Sequence, residues 1–199
     1  MKLTKGIIAI IVVVAIIGIG LIFFLWGKSL QNNMITKEEA VSSQWAQVQN
    51  AYQRRADLVP NLVATVKGYA THEQETLQAV VDARAKATQM NVNADQLTEE
   101  NIKKYQEAQG QLGAALGRLL MVQENYPDLK ANTNFLALQD ELTGTENRIS
   151  TERNKFNERV RDYNTYIRKF PNSFFAGDFD KKGYFEADAS AQSAPKVEF

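Results

Sequence analysis

Apolar residues fall along this chain in two regimes. From Gly6 to Gly27 they run on without a charged residue, through Ile7, Val13, Ile17 and Phe23 to Trp26, with Lys2 and Lys5 before the run and Lys28 after it. Beyond residue 28 they recur every three, four or seven positions among Gln, Asn, Glu, Arg and Lys. The first regime describes a helix with no polar face, and the second describes helices that each bury one stripe.

At about 1.5 Å per residue the uncharged run extends roughly 30 Å, the thickness of a hydrocarbon core. Trp26 stands at its exit, where an indole favours the headgroup layer. A cleaved signal peptide fits less well, since its apolar core is usually about 7–15 residues and ends in small side chains. Here Phe23, Phe24, Leu25 and Trp26 occupy that place. The pattern predicts a short flank over residues 1–5, a transmembrane anchor in the lipid bilayer over 6–27 and a juxtamembrane linker over 28–35. Lys2 and Lys5 on one side and Lys28 and Lys37 on the other differ too little to set its orientation.

A helical domain is expected over residues 36–171. Thr36 and Glu39 fit a capping box, and Val41, Trp45, Val48, Tyr52 and Val59 then form one stripe. Pro60 removes a helical hydrogen bond, so a kink or helix boundary is expected near Asp57–Pro60. The stripe resumes with Leu62, Val66, Tyr69, Leu77, Val80 and Ala87. After a connection from Asn91, Thr98 caps a third helix with Ile102, Tyr105, Leu112, Leu116, Leu119 and Tyr126 on one face. Gly110, Gly113 and Gly117 interrupt its propensity and predict close approach of a neighbouring helix.

The last helix carries the clearest pattern. Phe135, Leu142, Ile149, Phe156, Tyr163 and Phe170 lie seven apart, and Pro171 ends the series. Such a repeat implies a helix packed along its length against partners at a shallow angle, as in a coiled coil. Polar residues at the middle rungs, Thr145, Glu146, Glu152 and Arg153, are expected to fix register or to pair with Arg54, Arg55 or Arg84. The tail over 172–199 divides into an aromatic half able to fold back on the helices and a final stretch, Ala187 to Phe199, expected to be disordered.

Composition narrows the chemistry. With 23 Lys and Arg against 23 Asp and Glu, the basic excess that nucleic-acid binding needs is lacking. A chain without cysteine and with one histidine, His72, can assemble no cysteine nucleophile, thiolate metal site or di-iron Glu-x-x-His pair. No cofactor is expected. The carboxylate pairs Glu99/Glu100 and Glu146/Glu152 are ordinary on helices, and an exposed or packed His72 is the plainer reading of that residue. Arg54 and Arg55 form one local basic pair, and with Asp57, Lys67 and Tyr69 they are candidates for a ligand or polar-network site, together with Glu146 and Glu152.

Three blocks carry a resemblance. Arg54, Arg55, Asp57, Leu58, Val59, Pro60, Asn61 and Leu62 lead into Thr65, Val66, Lys67, Gly68, Tyr69, Ala70, His72 and Glu73. Tyr126, Pro127, Asp128, Leu129, Lys130, Ala131 and Asn132 precede Asn134, Phe135, Leu138 and Gln139. Glu146, Asn147, Arg148 and Ile149 are followed by Asp162, Tyr163, Asn164, Phe170 and Pro171. Together they resemble the LemA family from about Val41 to Glu186. The resemblance implies a bacterial membrane protein whose soluble part is an antiparallel four-helix bundle, without an established catalytic activity. Relatives are linked to membrane organisation, magnetosome formation included, and one family description places the bundle in the cytoplasm.

These readings point to a non-enzymatic, membrane-anchored scaffold or adaptor. Its expected partners are a second copy of itself or another membrane protein, a membrane protease among the candidates that family gene neighbourhoods suggest. The alternative is a module that binds a small ligand or lipid headgroup through Arg54, Arg55, Lys67 and Tyr69. An enzyme built on His72 or on Glu146 and Glu152 fits least.

Overall fold

The computed structural model describes residues 5–186. Most of the short N-terminal flank, residues 1–4, and the stretch from Ala187 expected to be disordered lie outside the described residues. Within them the chain is all-α: α1 (Lys5–Lys67), α2 (Gln74–Gln89), α3 (Glu99–Met121), α4 (Pro127–Lys130) and α5 (Thr133–Arg168), with 3-10 turns at Ala94–Gln96, Val122–Asn125 and Asn172–Phe174.

Helix α1 is one element of 63 residues, about 95 Å long at helical rise. Its N-terminal part is long and apolar enough to cross a membrane, and large side chains from Ile10 to Trp26 are exposed. Two expectations fail here. Thr36 and Glu39 do not start a helix, and residues 28–35 are not a separate linker. Thr36 sits inside α1, where its hydroxyl donates to the Asn32 carbonyl one turn back at 2.9 Å. A Thr-x-x-Glu pattern marks a start only where the chain before it is not helical. From Lys28 to Ile35 no Gly or Pro intervenes, so extending an existing helix is cheaper than nucleating a new one.

Pro60 makes no helix boundary either, because α1 continues to Lys67. Proline at 60 leaves the Ala56 carbonyl without its i+4 donor. That carbonyl instead accepts from Arg84 Nε of α2 at 2.8 Å. The neighbouring helix therefore supplies the bond that proline removes, and Arg84 is used here rather than on Glu146 or Glu152. Arg84→Ala is expected to cost about 1–2 kcal/mol by leaving a part-buried acceptor unmet. In a Pro60→Ala background, where residue 60 regains its N–H, the same change should cost much less. A double-mutant cycle by urea denaturation in detergent reads the difference as a coupling of about 1 kcal/mol, and equal costs in both backgrounds would refute it.

Helix α5 runs antiparallel along α1, and α2 packs on α3 and α1. Their buried side chains form two clusters. The distal one gathers Leu62, Val66, Leu77, Val80, Leu112, Leu119, Leu129 and Phe135. The proximal one, nearer the apolar run, gathers Met34, Val41, Trp45, Tyr105, Phe156, Tyr163 and Phe185. Thr98 and Asn132 cap α3 and α5, accepting from the N–H groups of Asn101 at 3.3 Å and Phe135 at 2.9 Å.

The seven-residue ladder from Phe135 to Tyr163 is buried, but its sixth rung is not. Phe170 lies beyond the end of α5 and is 79% exposed. Tyr126 likewise falls outside α3, which ends at Met121. Nor does a neighbouring helix approach α3 at its glycines: a Cβ at Gly110 or Gly117 would meet nothing within 4 Å, and one at Gly113 would meet the Arg55 guanidinium at 3.4 Å. Gly113 clears room for a side chain, and Gly110 and Gly117 face open space.

The aromatic part of the tail does fold back, as an extended strap over α3 and α5. Asn164 Nδ2 donates to the Lys182 carbonyl while its Oδ1 accepts from the Lys182 N–H, at 2.9 and 3.0 Å. Seven residues earlier, Asn157 holds Phe185 by the same two-pronged bond, both arms 2.9 Å. Gln106 holds Glu186 in the same way, both arms 3.1 Å. Phe185 stacks on Trp45 and meets Phe156 edge-on, and the buried Lys182 pairs with Glu38 of α1 at 2.6 Å.

Candidate functional site

The two apolar clusters are separated by a polar belt. On α1 the break falls at Arg55, between Tyr52 and Leu58; on α3 at Gln109, between Tyr105 and Leu112; on α5 at Thr145 and Glu146, between Leu142 and Ile149. Arg55 is 4% exposed. One terminal nitrogen donates to Glu146 at 2.7 Å, and the other to the Gln109 carbonyl and side-chain oxygen at 2.8 and 2.9 Å. The guanidinium also lies over the Tyr52 ring at 5.0 Å. Gln109 extends the belt to α2 by donating to the Ala87 carbonyl at 3.3 Å. Buried charge is retained where such a fork is filled on several sides. One donor is left over: Arg55 Nε is buried without a hydrogen-bond partner.

Against this belt opens a cleft of 570 Å³, lined by Tyr52, Arg55, Gln109, Gly110, Gly113, Glu146 and Arg153 among others. Gly110 and Gly113 form part of its wall and keep it open. A guanidinium, with its planar fork of N–H donors, can orient an anionic or acceptor group. It is poorly suited to moving protons. Burial pushes the nearby Tyr105 phenol far above its ordinary value, so it stays protonated.

The other sequence-nominated residues do not join this belt. Arg54, one residue from Arg55 and so about 100° away around the helix, is exposed and pairs with Glu141 at 3.0 Å. Asp57 is exposed and accepts from Gln53 at 2.7 Å. Lys67 ends α1, roughly 18 Å further along the axis from Arg55, and is exposed. Tyr69 follows it and accepts from Asn132 at 2.8 Å, tying the end of α1 to the start of α5. Arg54, Arg55, Lys67 and Tyr69 are thus not one pocket. Glu152 accepts from Gln44 at 2.7 Å and pairs with Lys155 at 3.3 Å, with none of the three arginines. The Gln44 amide holds its carboxyl below the usual carboxylate range. His72 lies exposed in the connection between α1 and α2.

Sequence reasoning passed over Gln109, although a signal was there. Ile102, Tyr105, Gln109, Leu112 and Leu116 follow three- and four-residue spacing, so a polar residue on the core face marked a belt.

The LemA family model matches residues 44–199 of this chain. The chain belongs to the LemA family. This LemA-family domain takes in the belt, the cleft and the strap, and the match begins downstream of the apolar run. The chain is 26% identical over 174 residues to magnetosome protein MamQ 2 of Paramagnetospirillum magneticum, covering 78% of this chain and 64% of that one. It is 24% identical over 155 residues to protein LemA of Metamycoplasma hominis, covering 78% of this chain and 67% of the other. A further match is magnetosome protein MamQ of Magnetospirillum gryphiswaldense, 25% identical over 162 residues, covering 73% and 60%. The chain thus spans less than two thirds of the length of the MamQ relatives.

Proposed function

We propose that this LemA-family chain is a non-enzymatic, membrane-anchored scaffold or adaptor that presents its helical domain to protein partners at a membrane. The observation that carries the reading is the continuity of α1. One helix forms the apolar run and then a wall of both buried clusters, so no flexible joint separates anchor from domain. An enzyme gains little from such a stalk, whereas a scaffold gains a fixed height above the apolar run. The groups that could serve catalysis have structural duties: Glu146 holds Arg55 and Glu152 holds Gln44. Similarity to magnetosome proteins supports a place at a membrane. The partners proposed are a second copy of the chain or another membrane protein, a membrane protease included.

The cleft favours a second reading, a binding module for a small anionic ligand or lipid headgroup, through the Arg55 guanidinium that lines it and the open wall at Gly110. One experiment separates the two. A photoreactive side chain is placed in living cells at exposed Gln78 or Lys155, and in a second arm at Gly110 inside the cleft. The scaffold reading expects Gln78 or Lys155 to capture this chain or one defined membrane protein. Capture of nothing reproducible there, with a lipid or metabolite caught at Gly110, overturns it in favour of the ligand reading.

A further inference from the structure

Two large aromatic side chains stand uncovered at the end of α5. Phe170 is 79% and Phe174 80% exposed, and their rings meet edge-to-face at 6.0 Å. Exposed apolar pairs of this size in a soluble domain mark a surface that something covers.

The antiparallel register of α1 and α5 says where they lie. Contacts descend in step: Arg54 with Glu141, Gln44 with Glu152, Lys37 over the Tyr166 ring, and finally Trp26 against Phe175 at 6.1 Å. The Phe175 ring also sits where a Cβ on Gly27 would be, 2.7 Å from it, so only glycine admits that ring at this position. Phe174 adjoins Phe175 in the chain and Phe170 packs against Phe174, so the pair lies close to the level of Trp26–Lys28, the exit of the apolar run. Arg168 and Lys169 are exposed just before them, and Lys28 is exposed on α1. Aromatic rings flanked by basic residues at that height match the chemistry of a headgroup layer, apolar within and anionic at its surface.

We infer that the turn bearing Phe170 and Phe174 inserts into the lipid interface beside the anchor, giving the domain a second membrane contact. This rests on α1 being a membrane anchor. A helix alone leaves the domain free to rotate about its axis and to tilt. A wedge on one side of that axis fixes the tilt and turns a chosen face of the domain toward neighbours.

The chain has no cysteine, so single nitroxide labels can be placed cleanly. Full-length Phe170→Cys, Phe174→Cys, Ile16→Cys and Gln78→Cys variants are labelled and reconstituted in vesicles of phosphatidylcholine and phosphatidylglycerol. Accessibility to oxygen relative to a water-soluble nickel chelate is then read. The expected ratio at Phe170 and Phe174 is several-fold above that at distal Gln78 and approaches the ratio at Ile16. A ratio equal to that of Gln78, with Ile16 in the bilayer, overturns the inference alone. Water accessibility at Ile16 as well overturns the anchor reading with it. Immobilisation at Phe174 that grows with protein density, without bilayer depth, assigns the aromatics to a second copy and overturns lipid insertion.

Discussion

Gly183→Ala is expected to detach the C-terminal strap and to lower stability by about 3–5 kcal/mol. A Cβ at this position would lie 2.6 and 2.7 Å from Cα and N of Glu99 and 2.8 Å from C of Thr98. All three are backbone atoms of the capped start of α3, so no side chain can swing aside. The Gly183 N–H donates to the Leu97 carbonyl at 2.7 Å, and that bond has to lengthen too. Release of the strap exposes Phe185, whose burial contributes about 2–3 kcal/mol. It also breaks the paired amide bonds of Asn157, Asn164 and Gln106, each worth about 0.5–1.5 kcal/mol net. Part of this is recovered by the chain entropy of the released strap, which keeps the total in the stated range. Urea midpoints in detergent and amide hydrogen exchange at residues 182–186 check it. Gly177→Ala is the control, since a Cβ there would meet nothing within 4 Å and should change stability by less than about 0.5 kcal/mol. If Gly183→Ala leaves exchange in the strap unchanged, the close approach is not what makes glycine necessary.

Arg55→Met is expected to cost about 3 kcal/mol. Methionine fills much of the volume but leaves the Gln109 side-chain oxygen without its donor and takes the second donor from the Gln109 carbonyl, which keeps only its helical bond. Glu146→Gln should cost no more than about 1 kcal/mol, because the Glu146 side chain is 50% exposed and solvent screens its charge. The asymmetry between two partners of one ion pair is the signature sought in denaturation midpoints. A triple variant, Arg55→Met with Gln109→Leu and Glu146→Ala, removes donors and acceptors together and should recover most of the loss. Recovery would show that the belt serves register between α1, α3 and α5 or a ligand, because stability by itself would not require it. Equal costs for Arg55→Met and Glu146→Gln would refute the assignment of Arg55 as the buried centre.

The parts legible in the sequence were those set by local pattern. The uncharged run from Gly6 to Gly27, the cap at Thr98, and the ladder from Phe135 to Tyr163 each follow from side-chain period or terminal hydrogen bonding. The misread parts share a cause, which is that a local signal was cancelled by something distant. Thr36 carries a start signal, but the helix arriving from the apolar run had already been nucleated. Pro60 carries a stop signal, but Arg84, 24 positions on in α2, donates the missing bond. Gly110 and Gly117 suggested a close backbone, and in the structure both face open space.

For the candidate site the division is sharper. The sequence by itself determined that an anchor-like apolar run precedes long helices and that the family is LemA, and it named Arg54, Arg55 and Arg84 as partners for the polar rungs of the last helix. It could not rank Arg55 over Arg54, because adjacent residues share composition and context and differ only in helical phase. Only the tertiary structure decided that phase, burying Arg55 between two apolar clusters and leaving Arg54 in solvent. It alone recruited Gln109, placed the tail in the grip of Asn157, Asn164 and Gln106, and brought Phe175 onto Gly27. Those contacts join residues far apart in the chain, and such pairings depend on the register of whole helices, which no local spacing records.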